Sequence, residues 1–121
     1  MTDAASIAKA YIDTWNETNP AKLRAIVEKH WTNDVSYIDP MMQAEGQAEI
    51  ASLVEGIHQK FPGFRFTLKG TPNGYRSFIR FSWTLGPEGV EPPVEGSDVV
   101  TTFNGKISKV IGFIDRAPVQ T

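Results

Sequence analysis

Val99-Val100-Thr101-Thr102-Phe103-Asn104-Gly105-Lys106-Ile107-Ser108-Lys109-Val110 decides the fold. β-Branched and aromatic residues run up to Asn104-Gly105 and resume beyond it. An Asn-Gly pair between two such runs predicts a two-residue hairpin, because both central positions need positive φ. Two antiparallel strands follow from it, Val94–Phe103 and Lys106–Asp115. Upstream, Arg76–Leu85 alternates cleanly. Ile79, Phe81, Trp83 and Leu85 share the apolar face, and Phe78, Arg80, Ser82 and Thr84 share the other. Phe64–Lys69 reads as a further strand. Asn73-Gly74 reads as a turn, and Gly86-Pro87-Glu88-Gly89 with Pro92-Pro93 as a longer loop. Eleven of the eighteen Gly and Pro residues fall between Pro62 and Gly96. The second half is therefore strands punctuated by turns.

The first half has helical spacing. Asp3 predicts an N-cap, with Ile7, Ala8, Tyr11, Ile12 and Trp15 on one stripe. Asn19-Pro20 predicts a second cap, with proline in the first helical turn. Leu23, Ile26, Val27 and His30 form the second stripe, and His30-Trp31 closes that helix. Asp34 to Asp39 alternates as a short strand that Pro40 ends. Gly46 opens a third helix bearing Ile50, Leu53, Val54, Ile57 and Phe61, and Pro62-Gly63 stops it. Helices followed by consecutive antiparallel strands make an α+β domain, with one sheet covered by helices on one face.

Composition narrows the function. A chain of 121 residues is one domain, 1–121, large enough for a core and a pocket. A net charge of −2 argues against nucleic acid and anionic membranes as partners. No cysteine is present, which excludes disulfides, iron–sulfur clusters, thiolate zinc and a cysteine nucleophile. His30 and His58 lie on different helices with no i, i+4 partner, so no metal is expected. No phosphate-cradling glycine loop and no Gly-x-Ser-x-Gly occur, so no cofactor is expected either. The N-terminus lacks the charged start and apolar stretch of a signal peptide. The expectation is a cytoplasmic protein. Thirteen aromatic residues (seven Phe, three Tyr, three Trp) are the compositional oddity.

Chemistry then rests on carboxylates, a tyrosine, an arginine or a histidine. Asp39 ends its strand beside Tyr37, on the same face. In an apolar setting it is a usable general base, and otherwise a turn residue before proline. Asp98 enters the uncharged strand Val99–Phe103, either as a pocket acid or as edge charge. Arg80 sits on the polar face of its strand, facing solvent or a dimer partner, or else pairing with Asp98 or Asp115. Tyr11 and Trp15 are one helical turn apart. A tyrosine aimed into a cavity is an oxyanion donor, whereas Trp15 reads first as a core residue and second as a pocket contact. Trp15, Tyr37, Phe61, Trp83 and Ile114 are candidates for a ligand-contacting wall, with Arg80 and His58 as polar ligand contacts. Phe103 and Phe113 fall on segments expected to line or close the same cavity.

The order of these motifs resembles a known family. Ala10-Tyr11-Ile12-Asp13-Thr14-Trp15-Asn16, Tyr37-Ile38-Asp39-Pro40, Phe61-Pro62-Gly63, Trp83-Thr84-Leu85-Gly86-Pro87, Glu95-Gly96-Ser97-Asp98 and Gly112-Phe113-Ile114-Asp115 are similar to segments of SnoaL-like and ketosteroid-isomerase-like proteins. These belong to the nuclear transport factor 2-like superfamily. The resemblance implies a cone: three helices in the concave face of a strongly curved, mostly antiparallel sheet, a deep apolar pocket, and a homodimer packed through the sheet. It also implies roles. In ketosteroid isomerases an aspartate is the base, and a tyrosine with a protonated aspartic acid holds the oxyanion. Asp39 falls at the base and Tyr11 at the tyrosine. Asp98 falls near the second acid, one residue off, an offset that a bulge near Gly96 would absorb.

These readings lead to an acid–base enzyme, an isomerase, cyclase or lyase acting next to a carbonyl of a compact hydrophobic substrate. Asp39 would take the proton, and Tyr11 with Asp98 would hold the enolate oxygen. A non-catalytic protein that binds a hydrophobic ligand is the alternative. An epoxide-hydrolase-like enzyme, with an arginine bridging two aspartates around a water, is a third reading.

Overall fold

The structure is a computed structural model that describes residues 3–118. Its elements run α1 (Ala4–Asn16), α2 (Pro20–His30), β1 (Trp31–Ile38), β2 (Gln43–Glu45), α3 (Gln47–Lys60), β3 (Phe64–Tyr75), β4 (Phe78–Pro87), β5 (Val94–Phe103) and β6 (Lys106–Arg116). Capping fixes the helix starts. The Asp3 carboxylate accepts from the Ala5 and Ser6 amides, and the Asn19 side chain accepts from the Lys22 amide, with Pro20 opening α2. Gly46 precedes α3 at φ 86°, ψ 163°, a conformation essentially reserved for glycine.

The six strands form one sheet in the order β2-β1-β6-β5-β4-β3. Every neighbouring pair is antiparallel except β1 with β6, which is parallel. Register shifts interrupt the β1–β6, β3–β4 and β5–β6 ladders. Such bulges raise local twist and bend a sheet around what it covers. The helices lie against the inner face. α1 packs on β3 and β4, α2 on β1 and β6, and α3 on β1 and β2. The architecture is the α+β cone, with a mixed rather than wholly antiparallel sheet.

Alternation puts each strand's apolar set inward. Ile79, Phe81, Trp83 and Leu85 are buried on β4, as their spacing predicts. On β5, Gly96, Asp98, Val100 and Thr102 face in. The hairpin Asn104-Gly105 adopts φ 50° and 77°, the doubly positive turn its sequence demands.

Several boundaries differ from the sequence reading. Trp31 does not close α2. It begins β1, fully buried, three residues before the predicted strand start. β2 is only three residues long and carries no pattern that could announce it. Asn73-Gly74 is not a turn but lies within β3, paired with Arg80 and Ile79. The chain reverses one step later, at Arg76-Ser77, where Arg76 takes φ 52°. Phe103 and Phe113 do not line the interior. They are 65% and 54% exposed, because their positions alternate with the buried Thr102 and with Val110 and Gly112.

Candidate active site

Two carboxylates and two phenols meet where β1, β5, β6 and α1 converge. The meeting point is a glycine. Asp98 on β5 pairs with Gly112 on β6, and Ile38, just before Asp39, pairs with Ile111. Asp39 and Asp98 therefore approach Gly112 from opposite strands. A methyl group on Gly112 would lie 2.9 Å from Asp98 Oδ1 and 3.2 Å from Asp39 Cβ. The missing side chain is what lets both acids occupy this place.

Each acid holds a tyrosine. Tyr11 Oη, one face of α1, donates to Asp98 Oδ2. Tyr37 Oη donates to Asp39 Oδ2 at 2.6 Å. Asp39 Oδ1 accepts from two backbone amides, Met41 at 2.7 Å and Met42 at 2.8 Å. The Asp39 amide in turn donates to the Met42 carbonyl at 2.9 Å. The turn after Pro40, with Tyr37, thus clamps Asp39, half-buried, with three donors on its two oxygens. Asp98 is different. It is 1% exposed, and its Oδ2 accepts from the Tyr11 hydroxyl.

The surroundings are aromatic. Tyr11 stacks on Trp31 at 5.6 Å, meets the edge of Phe81 at 4.9 Å and tilts against Trp15 at 6.2 Å. Trp15 reaches Tyr37 and Phe66, and Phe66 reaches Trp83. Burial in this setting is the main cause that pushes the Asp98 carboxyl up from 3.8 to about 6. The Tyr11 hydroxyl and the Trp83 indole N–H oppose the rise, and the negative charges of Asp39 and Asp115 add to it. Burial, with Asp98 second, drives the Tyr11 phenol well above its ordinary range. Burial and the hydrogen bond to Asp39 raise Tyr37 likewise. Both phenols stay protonated at any working pH and act as donors only. Asp98 is the group whose charge changes near neutrality, the range in which a carboxyl serves best as acid or base.

The remaining candidates divide. Trp15 and Trp83 are buried in this cluster. Ile114 and Phe61 are half-buried against the core; Ile114 pairs with Gly96, and Phe61 tilts on Phe64. His58 is half-buried on α3, its Nε2 without a partner, and no contact links it to the acids. Arg80 corrects the sequence reading as a ligand contact. It is exposed on the outer face, paired with Val99, whereas Asp98 pairs with the neighbouring Phe81. Strand parity puts its guanidinium on the opposite side of the sheet from Asp98. Arg80 cannot bridge the two aspartates.

Sequence reasoning missed three contributors and misjudged the role of a fourth. Trp31 buttresses Tyr11, and its Nε1 donates to Thr14 Oγ1 at 3.0 Å. Gly112 gives the acids room; an isolated glycine inside a strand was the available signal. The Met41 and Met42 amides have no signature, since every residue carries one. Tyr37 was read as a wall and is a hydrogen-bond donor.

No group of three or more His, Asp or Glu side chains among the described residues could hold a metal ion. Two hollows open on the surface. One of about 400 Å³ is lined by Ser36, Tyr37, Ile38, Gln43, Ala44, Glu45 and Glu49, and one of about 450 Å³ lies by Thr32, Asn33, Asp34 and Phe103. Only Tyr37 connects either to the acids. No helix among the described residues is long and apolar enough to cross a membrane.

Known proteins extend this picture. The SnoaL-like domain model matches residues 8–110. No protein of curated function matches the chain. A SnoaL-like family protein from Agrobacterium tumefaciens str. C58, provisionally named an isomerase, is 43% identical. That match covers 95% of this chain and 99% of the other, with a TM-score of 0.90. A structure from Kribbella flavida DSM 17836, provisionally named a ketosteroid isomerase, is 19% identical with a TM-score of 0.70, over 96% of this chain and 80% of that one. A structure from Jannaschia sp. CCS1, provisionally named a SnoaL-like polyketide cyclase, is 14% identical with a TM-score of 0.69, over 93% and 87%. The two distant matches share the fold. With the cone, and a family model that spans most of its length, the chain belongs to the SnoaL-like family.

Proposed function

We propose that the protein is a cofactor-independent acid–base enzyme. It moves a proton next to the carbonyl of a compact hydrophobic substrate, as an isomerase, cyclase or lyase does. The observation that carries the reading is the pair of carboxylates facing each other over Gly112, each joined to a phenol inside an aromatic shell. Asp39 stands half-buried with a fixed orientation and takes the α-proton. Tyr11 and Asp98, the latter in the protonated form that prevails below about pH 6, stand behind it and stabilise the oxygen on which charge develops. Preorganised donors in a dry site are worth about 3–4 kcal/mol each toward the transition state. Tyr37 and the Met41 and Met42 amides keep the Asp39 carboxylate from turning away. A second copy of the chain, packed on the outer sheet face, is the proposed partner. The provisional names isomerase and polyketide cyclase, given to proteins of the same family and fold, agree with this chemistry.

The test needs no knowledge of the natural substrate. A panel of cyclic ketones in deuterium oxide is followed by proton NMR for exchange at the α-carbon. The wild-type protein is expected to accelerate exchange for at least one compact ring ketone, and Asp39→Asn to reduce that acceleration about 100-fold or more, the scale of one general base. A ligand-binding protein without turnover would bind such ketones and accelerate none.

A further inference from the structure

Asn16 is the last residue of α1, half-buried, and its side chain is spent on the sheet rather than on its own helix. Asn16 Nδ2 donates to the Phe66 carbonyl at 2.9 Å, and Asn16 Oδ1 accepts from the Phe66 amide at 2.8 Å. A residue in an antiparallel strand turns its N–H and C=O to the same side, so these two bonds are the pair that a neighbouring strand would make. β3 is an edge strand with β4 alone beside it. Asn16 stands in for the strand that β3 lacks. Two parallel bonds to one backbone residue fix an orientation as well as a distance.

Side chains of α1 hydrogen-bond to three strands. Thr14 Oγ1 accepts from Trp31 Nε1 on β1, Tyr11 donates to Asp98 on β5, and Asn16 grips β3. In the sheet order, β1 and β3 lie on either side of β5. Tyr11 therefore reaches its acid between two ties. The ties are unequal. The Thr14 tie is one bond to an indole, and its hydroxyl also donates to the Ala10 carbonyl at 2.7 Å. The Asn16 tie is two bonds to the backbone of Phe66, which is itself in register with Leu85 on β4. Trp15, next in the chain, rests its ring on Phe66 at 5.5 Å, so the apolar and the polar contact fall on one residue of β3. Burial of rings is non-directional and leaves the rotation of a helix about its axis soft. The paired amide is what sets it. Tyr11 stands five residues before Asn16, about 7.5 Å of helix rise. Its hydroxyl ends a long side chain, where a small rotation of the helix becomes a large displacement. A hydrogen bond between two oxygens tolerates only about half an ångström.

We infer that Asn16 is a positioning residue for the acid–base site: its amide, bonded both ways to the Phe66 backbone, sets the rotation and height of α1 and thereby holds the Tyr11 hydroxyl on Asp98. That the Tyr11 bond serves a reaction rests on the function proposed above. That the bond depends on Asn16 rests on the geometry of α1 and β3. Asn16 touches neither acid and acts only through the helix that carries Tyr11.

Proton NMR in water reads the Tyr11 hydroxyl directly. A buried phenol proton held by a carboxyl exchanges slowly and lies far downfield, and its signal is assigned by its loss in Tyr11→Phe. Asn16→Leu removes both bonds at similar size. Asn16→Asp keeps the acceptor and removes the donor. Gly46→Ala is the control for lost stability alone, since it strains the start of α3 and touches no residue of α1. In both Asn16 variants the hydroxyl signal is expected to move upfield or to broaden by exchange, and in Gly46→Ala to stay in place. Ketone exchange by Asn16→Leu is expected to fall about 10-fold in kcat with KM near wild type, the mark of lost orientation rather than lost binding. Three results overturn the inference: a wild-type protein with no downfield Tyr11 signal, an Asn16→Leu signal that moves no further than that of Gly46→Ala, or a moved signal with kcat unchanged. The wild-type spectrum and Asn16→Asp decide where Asn16→Leu fails to fold. The two claims fail separately. A wild-type protein that exchanges no ketone contradicts the acid–base function, and the hydroxyl signal then still shows whether Asn16 sets the Tyr11 bond.

Discussion

Asp98 is the residue at which burial, charge and the proposed function meet. Its folded value of about 6 lies above the ordinary 3.8. The folded state therefore binds more protons than the unfolded chain across that interval. Stability is full below 3.8 and is lost as pH rises through 6. Ionised at neutral pH, Asp98 costs on the order of 3 kcal/mol of stability. Asp98→Asn removes the charge and keeps an acceptor for Tyr11. Urea unfolding at pH 8 is expected to show the variant more stable than wild type by up to that amount, with the advantage fading by pH 4. An advantage independent of pH would contradict the assignment. The identity of this acid was legible in the sequence, but its face was left open between pocket and sheet edge, and the folded sheet puts it inward with Val100 and Thr102. Its partners were less legible. Nothing in the residue Tyr37 says whether its hydroxyl meets water or Asp39, and the amides that hold Asp39 belong to a turn whose shape only the folded chain supplies.

Elements were legible wherever local chemistry and tertiary packing agree. The Asp3 and Asn19 caps, the Asn104-Gly105 hairpin and the β4 alternation each state locally what the fold requires globally. Disagreement came where contacts distant in sequence decide. Trp31 could have extended α2, but burial against Tyr11 and Thr14 pulls it into β1. β2 exists only because β1 offers an edge to Ala44 and its neighbours. Asn73-Gly74 looks like a turn, yet β4 pairs with it, and a methyl on Gly74 would strike the Phe78 carbonyl at 2.9 Å. Two glycines flank and occupy α3 for different reasons, and substitution separates them. Gly46 has room for a side chain but takes φ 86°, so Gly46→Ala is expected to cost about 1–3 kcal/mol from backbone strain alone. Gly56 sits inside the helix with nothing within 4 Å, so Gly56→Ala is expected to stabilise by about 0.5–1 kcal/mol. Chemical denaturation of both variants checks the pair. Equal effects would mean that cap geometry does not set the start of α3.

At the scale of the molecule, the helices cover one face of the sheet, and the other carries an apolar patch. On the outer face Ile38 pairs with Ile111, which pairs with Val99, and Phe113 lies beyond. Ile38, Ile111 and Phe113 are 49%, 38% and 54% exposed. A patch of this kind is commonly an interaction surface. The proposed dimer places a second copy there. Sedimentation is expected to show a dimer for wild type and a monomer for the double variant Ile111→Lys, Phe113→Lys, with the fold intact by circular dichroism. A wild-type monomer at high micromolar concentration would remove the second copy from the account.

The inner face carries the proposed chemistry, which depends on one pair. α1 brings Tyr11, β5 brings Asp98, the turn after β1 brings Asp39, and β6 leaves Gly112 bare between them. Carbon-13 NMR of the aspartate carboxyls reads that pair directly. The Asp98 signal, identified by its loss in Asp98→Asn, is expected to titrate with a midpoint near 6 in wild type. In Asp39→Asn the midpoint is expected to fall, because a neighbouring negative charge has gone. An Asp98 midpoint near 4 in both proteins would show a solvated acid with no coupled neighbour, and the site described here would not exist.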